Sequence, residues 1–489
     1  MRFFKNIIIA TSAFISMATT SCGSFDDLNT DPTKLVDANP GVFLNPTLYG
    51  LASYNFGRYY SFTAYINQND VYTQSSGGIG WWVFTDSAGD GAWSTYYKWL
   101  ANIQEMYNYA VELDSPNYIA LSNTLKCYVY HNLVDAFGGV PMSEACQAEH
   151  GILTPKFDSE MEIYASLIDL LDEANSTYDL TTGLEYNTSA DLLYNTSSST
   201  TAGIALWQKF TNSLRMRVLL RVIDVDGLDA KAKLVEMINN PEKYPVFESN
   251  DDAALLEISG VDPESVPVTS NYYGLFRQYT KFFMDPWNEM EDPRRAYFAN
   301  KTTNASVSST SDYYGQENAW ASLDATWNGS GMNSGVVNTP MKLTLMSYAE
   351  VEFIRAELAH KGIISTYDAA ESLEKGIEAA ITMWGLEIPE DHFENPANQY
   401  DGTFESIMTH KFYALIFDGF QQWFEVNRTG IPEIPRGEGM DASNHLPFRF
   451  IYPSDCLVYN SENYYDAVNN LTGGDEYSTE LMWHNRNVF

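Results

Sequence analysis

Along this 489-residue chain the apolar residues recur mostly at helical spacing. Over 96–112 they fall at Trp99, Ile103, Met106, Tyr107, Ala110 and Val111, which is one stripe on a helix. A second stripe runs through Leu121, Leu125, Tyr128, Val129 and Leu133 to Phe137, with Asn117 placed to cap it and Gly138-Gly139 to stop it. Asp158 is expected to cap a third helix that carries Ile163, Leu167, Leu170, Leu171 and Ala174. A fourth spans 204–222 through Trp207, Phe210, Leu214 and Leu219. Ser347-Tyr348-Ala349-Glu350 has the form of a capping box, and its helix continues through Val351, Ile354 and Leu358 to Gly362. A partner follows at once, with Ala370, Leu373, Ile377, Ala380, Ile381 and Trp384 before Gly385. Two helices joined so closely pack antiparallel, the unit of a tetratricopeptide-like array. A last long helix is expected over 404–426.

Between these helices lie polar insertions rich in Gly, Ser, Thr and Asn, at 181–203, 259–340 and 430–480. They are longer than connection alone requires, which makes them candidate binding elements. The expected fold is mainly α: a single large domain of tetratricopeptide-like helical pairs, long irregular loop insertions and few short strands. The scaffold is placed at 40–260 and 341–430, with ligand-binding excursions at 259–340 and 430–480.

The first residues follow a different pattern. Arg2 and Lys5 precede an apolar stretch from Ile7 to Ala18, too short to span a bilayer stably, and small residues then lead into Ser21-Cys22. This is the pattern of a bacterial lipoprotein signal over 1–21, with Cys22 as the acylated end of a mature chain 22–489. No later stretch is long and apolar enough for a membrane span.

Net charge is −36, from 64 acidic against 28 basic residues, which excludes nucleic acid and anionic lipid headgroups as natural partners. With Cys22 acylated, Cys127, Cys146 and Cys456 remain and cannot all pair; a Cys127–Cys146 bridge is not expected. The histidines are scattered without H-x-x-x-H spacing. Asp224-Val225-Asp226-Gly227 places its glycine too early for a calcium loop and lacks the closing glutamate. Neither metal nor cofactor is therefore expected. No P-loop, GxGxxG or GxSxG signature occurs, and with 64 acids a carboxylate pair spaced for glycoside hydrolysis has no specificity.

Read in order, several segments resemble the SusD/RagB family of nutrient-binding outer-membrane lipoproteins. They begin with Asp27-Leu28-Asn29-Thr30-Asp31-Pro32, Asp135-Ala136-Phe137-Gly138-Gly139-Val140-Pro141 and Pro155-Lys156-Phe157-Asp158. Lys209 to Arg217, Asp292-Pro293-Arg294 and Ser347 to Val351 with Arg355-Ala356-Glu357 follow. The set closes with Phe424-Glu425-Val426-Asn427-Arg428-Thr429-Gly430, Arg449-Phe450-Ile451-Tyr452-Pro453 and Gly473-Gly474-Asp475 before Trp483. Asn427, Cys456 and His484 depart from the family's usual residues. Asp26-Asp27 resembles the surface-export signal of Bacteroidetes lipoproteins.

The resemblance implies a non-catalytic receptor at the cell exterior. It would bind a glycan or, alternatively, a peptide, and pass it to a SusC-like TonB-dependent transporter. A glycoside hydrolase on a helical scaffold is the reading from another class. Most motif residues read as architecture: Arg215, Arg217, Arg355 and Glu357 as buried ion-pair partners, and Asp135, Gly138 and Pro141 as a turn.

Sugar binding needs exposed aromatic faces beside a few polar groups. The first candidate site is Asp70, Tyr72, Trp81 and Trp82, in a run where glycines precede adjacent tryptophans. The second is Tyr273, Trp287, Trp320 and Trp327, in an insertion with little core of its own.

Overall fold

The computed structural model describes residues 39–72, 77–187, 190–268, 277–302, 312–319 and 329–484. Residues 40–489 group as one unit. Its scaffold is built of helices: α1 (Gly41–Arg58), α2 (Asp90–Glu112), α3 (Pro116–Phe137), α4 (Glu160–Thr177), α5 (Ala202–Arg221) and α6 (Ala230–Asn239). Next come α7 (Lys281–Glu289), α8 (Arg294–Phe298), α9 (Tyr348–His360), α10 (Ala369–Thr382), α11 (Phe404–Ala414), α12 (Gln421–Thr429), α13 (Ser454–Tyr459) and α14 (Ser461–Asn469). Successive helices pack pairwise, α2 on α3, α3 on α4, α4 on α5, and α9 on both α10 and α11. Among the described residues, two small antiparallel sheets accompany the helices. β1 (Asp70–Tyr72) pairs with β3 (Arg277–Tyr279), and β2 (Ala254–Ile258) pairs with β4 (Met341–Met346).

The helical stripes predicted from the sequence form, and the caps show how local chemistry sets their ends. Ser347 accepts the Glu350 N–H as expected, but the Glu350 carboxylate turns to Arg217 instead of closing the box. Gly362 and Gly385 follow α9 and α10 at φ +65° and +75°, conformations that glycine adopts without a Cβ penalty. Two expected caps are corrected. Ser159, not Asp158, caps α4 through a reciprocal box with Glu162; the Asp158 carboxylate instead accepts the Met142 and Ser143 N–H groups. Ser115 occupies the cap of α3 with Pro116 after it, while the Asn117 amide holds the Asp179 and Thr182 carbonyls.

The long helix expected over 404–426 breaks into α11 and α12. Phe417 and Gly419 take positive φ there, and the break lets the Phe417 ring stack on Phe56 with centroids 4.6 Å apart. It also aims Asp418 at Arg217, 2.9 Å away. A continuous apolar stripe could not reveal this, because the kink is stabilised by partners distant in sequence. The insertions at 259–340 and 430–480 also hold helices of their own, α7 and α8 in the first and α13 and α14 in the second. Cys127, Cys146 and Cys456 are free thiols.

Asp135 does not shape a turn. It lies buried inside α3 and pairs with Arg221 at 2.9 Å. Arg221 also reaches Glu425 at 2.7 Å, which in turn binds Lys411 and Arg428, each at 2.7 Å. Arg428 grips Glu357 with two bonds of 2.7 and 2.6 Å, and Lys361 adds a third contact. Arg217 joins Glu350 to Asp418. One chain of buried charge thus links α3, α5, α9, α11 and α12. Burial opposes ionisation of Glu357, but Arg428, Lys361 and Lys411 prevail and hold its pKa down at about 2.

Glu357→Gln leaves Arg428 buried beside an uncharged partner and is expected to lower unfolding free energy by about 3–5 kcal/mol, read from urea denaturation. The native pKa of about 2 lies below the ordinary glutamate value, so ionised Glu357 contributes roughly 3 kcal/mol above that ordinary value. That contribution fades as pH falls from about 5 toward 2, and the wild type should lose its advantage over the variant across this window.

Candidate functional site

The end of α1 sets up a cleft. The helix widens into a π-turn at Tyr59–Thr63, finishes with Ala64–Ile66, and reverses at Asn67–Asn69 into β1. Gln68, at φ +54°, donates from its side-chain amide to the Tyr65 and Gly80 carbonyls, both at 2.9 Å. This pins the glycine-rich strap 77–82 across the end of the helix. Gly78 at φ +82° and Trp82 at φ +55° flank the single 3-10 turn Ile79–Trp81. For a tryptophan that conformation carries strain, offset here by the indole N–H bond to the Ile66 carbonyl at 2.9 Å.

The insertions at 259–340 and 430–480 both hold this strap. Asn318 donates to the Gln68 side-chain carbonyl and to the Pro435 carbonyl, each at 3.1 Å. Asn444 donates to the Trp81 carbonyl at 3.0 Å, and the Arg436 guanidinium lies 5.7 Å from the Trp82 ring centre. Beneath the reversal, the Gln422 carbonyl oxygen accepts from Asn67 at 3.2 Å and from Asn69 at 2.6 Å, joining the cleft to α12.

The result is a cleft of about 350 Å³ whose walls include Ser61, Tyr65, Tyr72, Trp81 and Gly77 to Gly80. Behind it the Arg277 guanidinium is held between the Tyr60 and Tyr65 rings, 3.6 and 4.3 Å from their centres, and pairs with Asp70 at 2.7 Å. Burial raises the Asp70 pKa, while the Arg277 charge works against that rise. Burial likewise pushes the Tyr65 phenol well above its ordinary value, so it stays protonated. The cleft therefore offers aromatic walls, the hydroxyls of Ser61, Tyr65 and Tyr72, and glycine backbone to a ligand, with its charged pair sealed behind a ring.

The predicted site residues separate in this frame. Tyr72 is 44% exposed and Trp81 9%, and both line the cleft. Asp70 is only 2% exposed and serves Arg277 instead of the cleft. Trp82 is 6% exposed and anchors the strap from below. Trp287 departs furthest from expectation, with no exposed surface at all. It packs in the core against Phe283, Phe298 and Tyr413, because α7 and α8 carry this part of the insertion into the scaffold. Tyr273, Trp320, Trp327 and Cys22 lie outside the described residues.

Sequence reasoning missed Tyr65 and Arg277. Tyr65 sits in a row with Tyr59, Tyr60 and Phe62 that reads as core, and Arg277 meets Asp70 only through the β1–β3 pairing. Among the described residues no group of three or more His, Cys, Asp or Glu is placed to hold a metal ion. No described helix is long and apolar enough to cross a membrane.

A profile of SusD-like proteins, described as starch-binding and associating with the outer membrane, matches residues 32–453. No curated protein matches the chain. Among solved structures, one described as a chitin-binding protein superposes with a TM-score of 0.77 at 22% identity, covering 91% of this chain and 100% of its own. A SusD homolog from Bacteroides fragilis gives 0.76 at 20% identity, covering 91% of this chain and 99% of its own. A chitin-binding SusD homolog from Flavobacterium johnsoniae gives 0.74 at 19% identity, covering 90% of this chain and 98% of its own. At these identities the likeness is one of fold.

Core and cleft aromatics should respond oppositely to truncation. Trp287→Ala is expected to cost about 3–5 kcal/mol of stability, while Tyr72→Ala stays within about 0.5 kcal/mol of wild type in the same denaturant titration.

Proposed function

Because this chain belongs to the SusD-like family of outer-membrane-associated binding proteins, we propose that it is a surface receptor that captures an oligosaccharide in the cleft of Tyr65, Tyr72 and Trp81. The observation that carries this reading is the cleft itself, where aromatic side chains meet a glycine-rich strap that leaves room for a ligand to approach backbone. Sugar rings present C–H faces that stack on aromatics, and their hydroxyls need partners such as Ser61 and the backbone groups of 77–80. A neutral ligand is unaffected by the net charge of −36, which would repel polyanions.

The chitin-binding descriptions of two similar structures support a glycan over a peptide. In this reading Cys22 carries the lipid that anchors the protein on the outer membrane. The bound sugar then passes to a partner TonB-dependent transporter. The receptor works by binding and release and makes or breaks no covalent bond in its ligand.

Calorimetry with soluble chitin and starch oligosaccharides tests the cleft. Tyr72→Ala and Trp81→Ala are each expected to weaken binding about tenfold, the worth of one stacked ring. Wild-type affinity retained in both would overturn the assignment.

A further inference from the structure

A second cavity, of about 460 Å³, shares no wall residue with the aromatic cleft and lies where α5, α9 and α12 end. Its walls include Arg221, Lys361, Arg428, Phe404 and Trp483, with Asp224 exposed at the rim. In a chain of net charge −36, three cations on one cavity form a local reversal of sign.

With Asp224 at the rim counted, the charges around this cavity balance, and what is left over is hydrogen-bonding capacity. Arg221, Lys361, Lys411 and Arg428 are four cations bonded to three carboxylates, those of Asp135, Glu357 and Glu425. Arg217 belongs to a separate set with Glu350 and Asp418 and does not line the cavity.

Donors are in excess. Arg221 uses three of its five N–H groups on protein partners, and Arg428 uses four. Lys361 spends one of its three on Glu357. Trp483, only 3% exposed, has an indole N–H with no acceptor among the described residues, and its ring lies 4.9 Å from the Arg221 guanidinium. Cations at the carboxyl ends of helices complement the helix dipole, which accounts for their placement. It supplies no acceptor for the indole N–H, and a buried donor left unpaired is costly.

We propose that this cavity binds an oxyanion, carried by a carboxylated sugar or present as free phosphate or sulfate. The anion would accept from Lys361, Arg428 and the Trp483 indole. The volume admits a monosaccharide, whose ring would pack on the half-buried Phe404. The site stands independently of the oligosaccharide cleft.

The test is titration calorimetry of the full chain with glucuronate, phosphate and sulfate, with glucose as the neutral control. Saturable binding of at least one anion, and none of glucose, is expected. Lys361→Gln should weaken it about tenfold and Lys361→Arg should restore it. Trp483→Phe keeps the ring, removes the N–H and should weaken binding by a factor of about five. A response to glucuronate alone assigns the carboxylated sugar, and a response to phosphate or sulfate assigns the inorganic ion; both support the site. No binding up to about 10 mM anion, equal binding of glucose, or wild-type affinity in both Lys361→Gln and Trp483→Phe overturns it.

Discussion

The structure depends on a buried chain of charge centred on Glu425. This carboxylate lies between Arg221, Lys411 and Arg428, so that α5, α11 and α12 converge on one side chain. Three cations hold the Glu425 carboxyl well below its ordinary range despite complete burial. Taking so many ions out of water is expensive, and only near-complete mutual pairing offsets that cost. The arrangement is therefore intolerant of partial occupancy: each member requires its neighbours, and the helices that carry them must stand in one register. Hydrophobic burial alone, being non-directional, would allow the pairs to slide.

α12 transmits this constraint to the cleft. Gln421 accepts from Arg221 at 2.9 Å on the charged side. Its neighbour Gln422 binds Asn67 and Asn69 at the reversal after α1. Two consecutive residues of one helix thus join the ionic core to the floor of the candidate site. The strap 77–82 is then fastened by Asn444 directly and by Asn318 through Gln68, residues that lie 126 positions apart in the sequence. These segments serve as clamps on a site built mainly by the residues between Ser61 and Trp81. This explains how long polar segments coexist with an ordered cleft: the Asn444 amide is spent on a strap carbonyl, and the Asn318 amide on Gln68 and on the Pro435 carbonyl.

The arginines and glutamates of the helical motifs take the structural roles their placement suggested. Arg217 pairs with Glu350, Glu357 with Arg428, and Arg215 with Asp172. Asp135 stands apart because its sequence neighbourhood, a helix end followed by two glycines, points to a turn, whereas its actual partner Arg221 is far along the chain. Gly139 does answer to the turn, since a Cβ there would meet the Asp158 carbonyl oxygen at 2.7 Å.

What the sequence determined by itself is whatever follows from short-range physics. Periodicity set the helices, and Ser347 and the glycines after α9 and α10 set their limits. The sequence also marked Tyr72 and Trp81 as aromatics beside flexible backbone. Only the tertiary structure decided which aromatics face outward: Trp81 edges the cleft, Trp82 plugs its base, and Trp287 vanishes into the core. The same holds for the break between α11 and α12 and for the Arg277–Asp70 pair behind the cleft wall. Exposure and ion pairing are properties of surfaces that meet across hundreds of residues, and no local pattern encodes which surface a side chain will find.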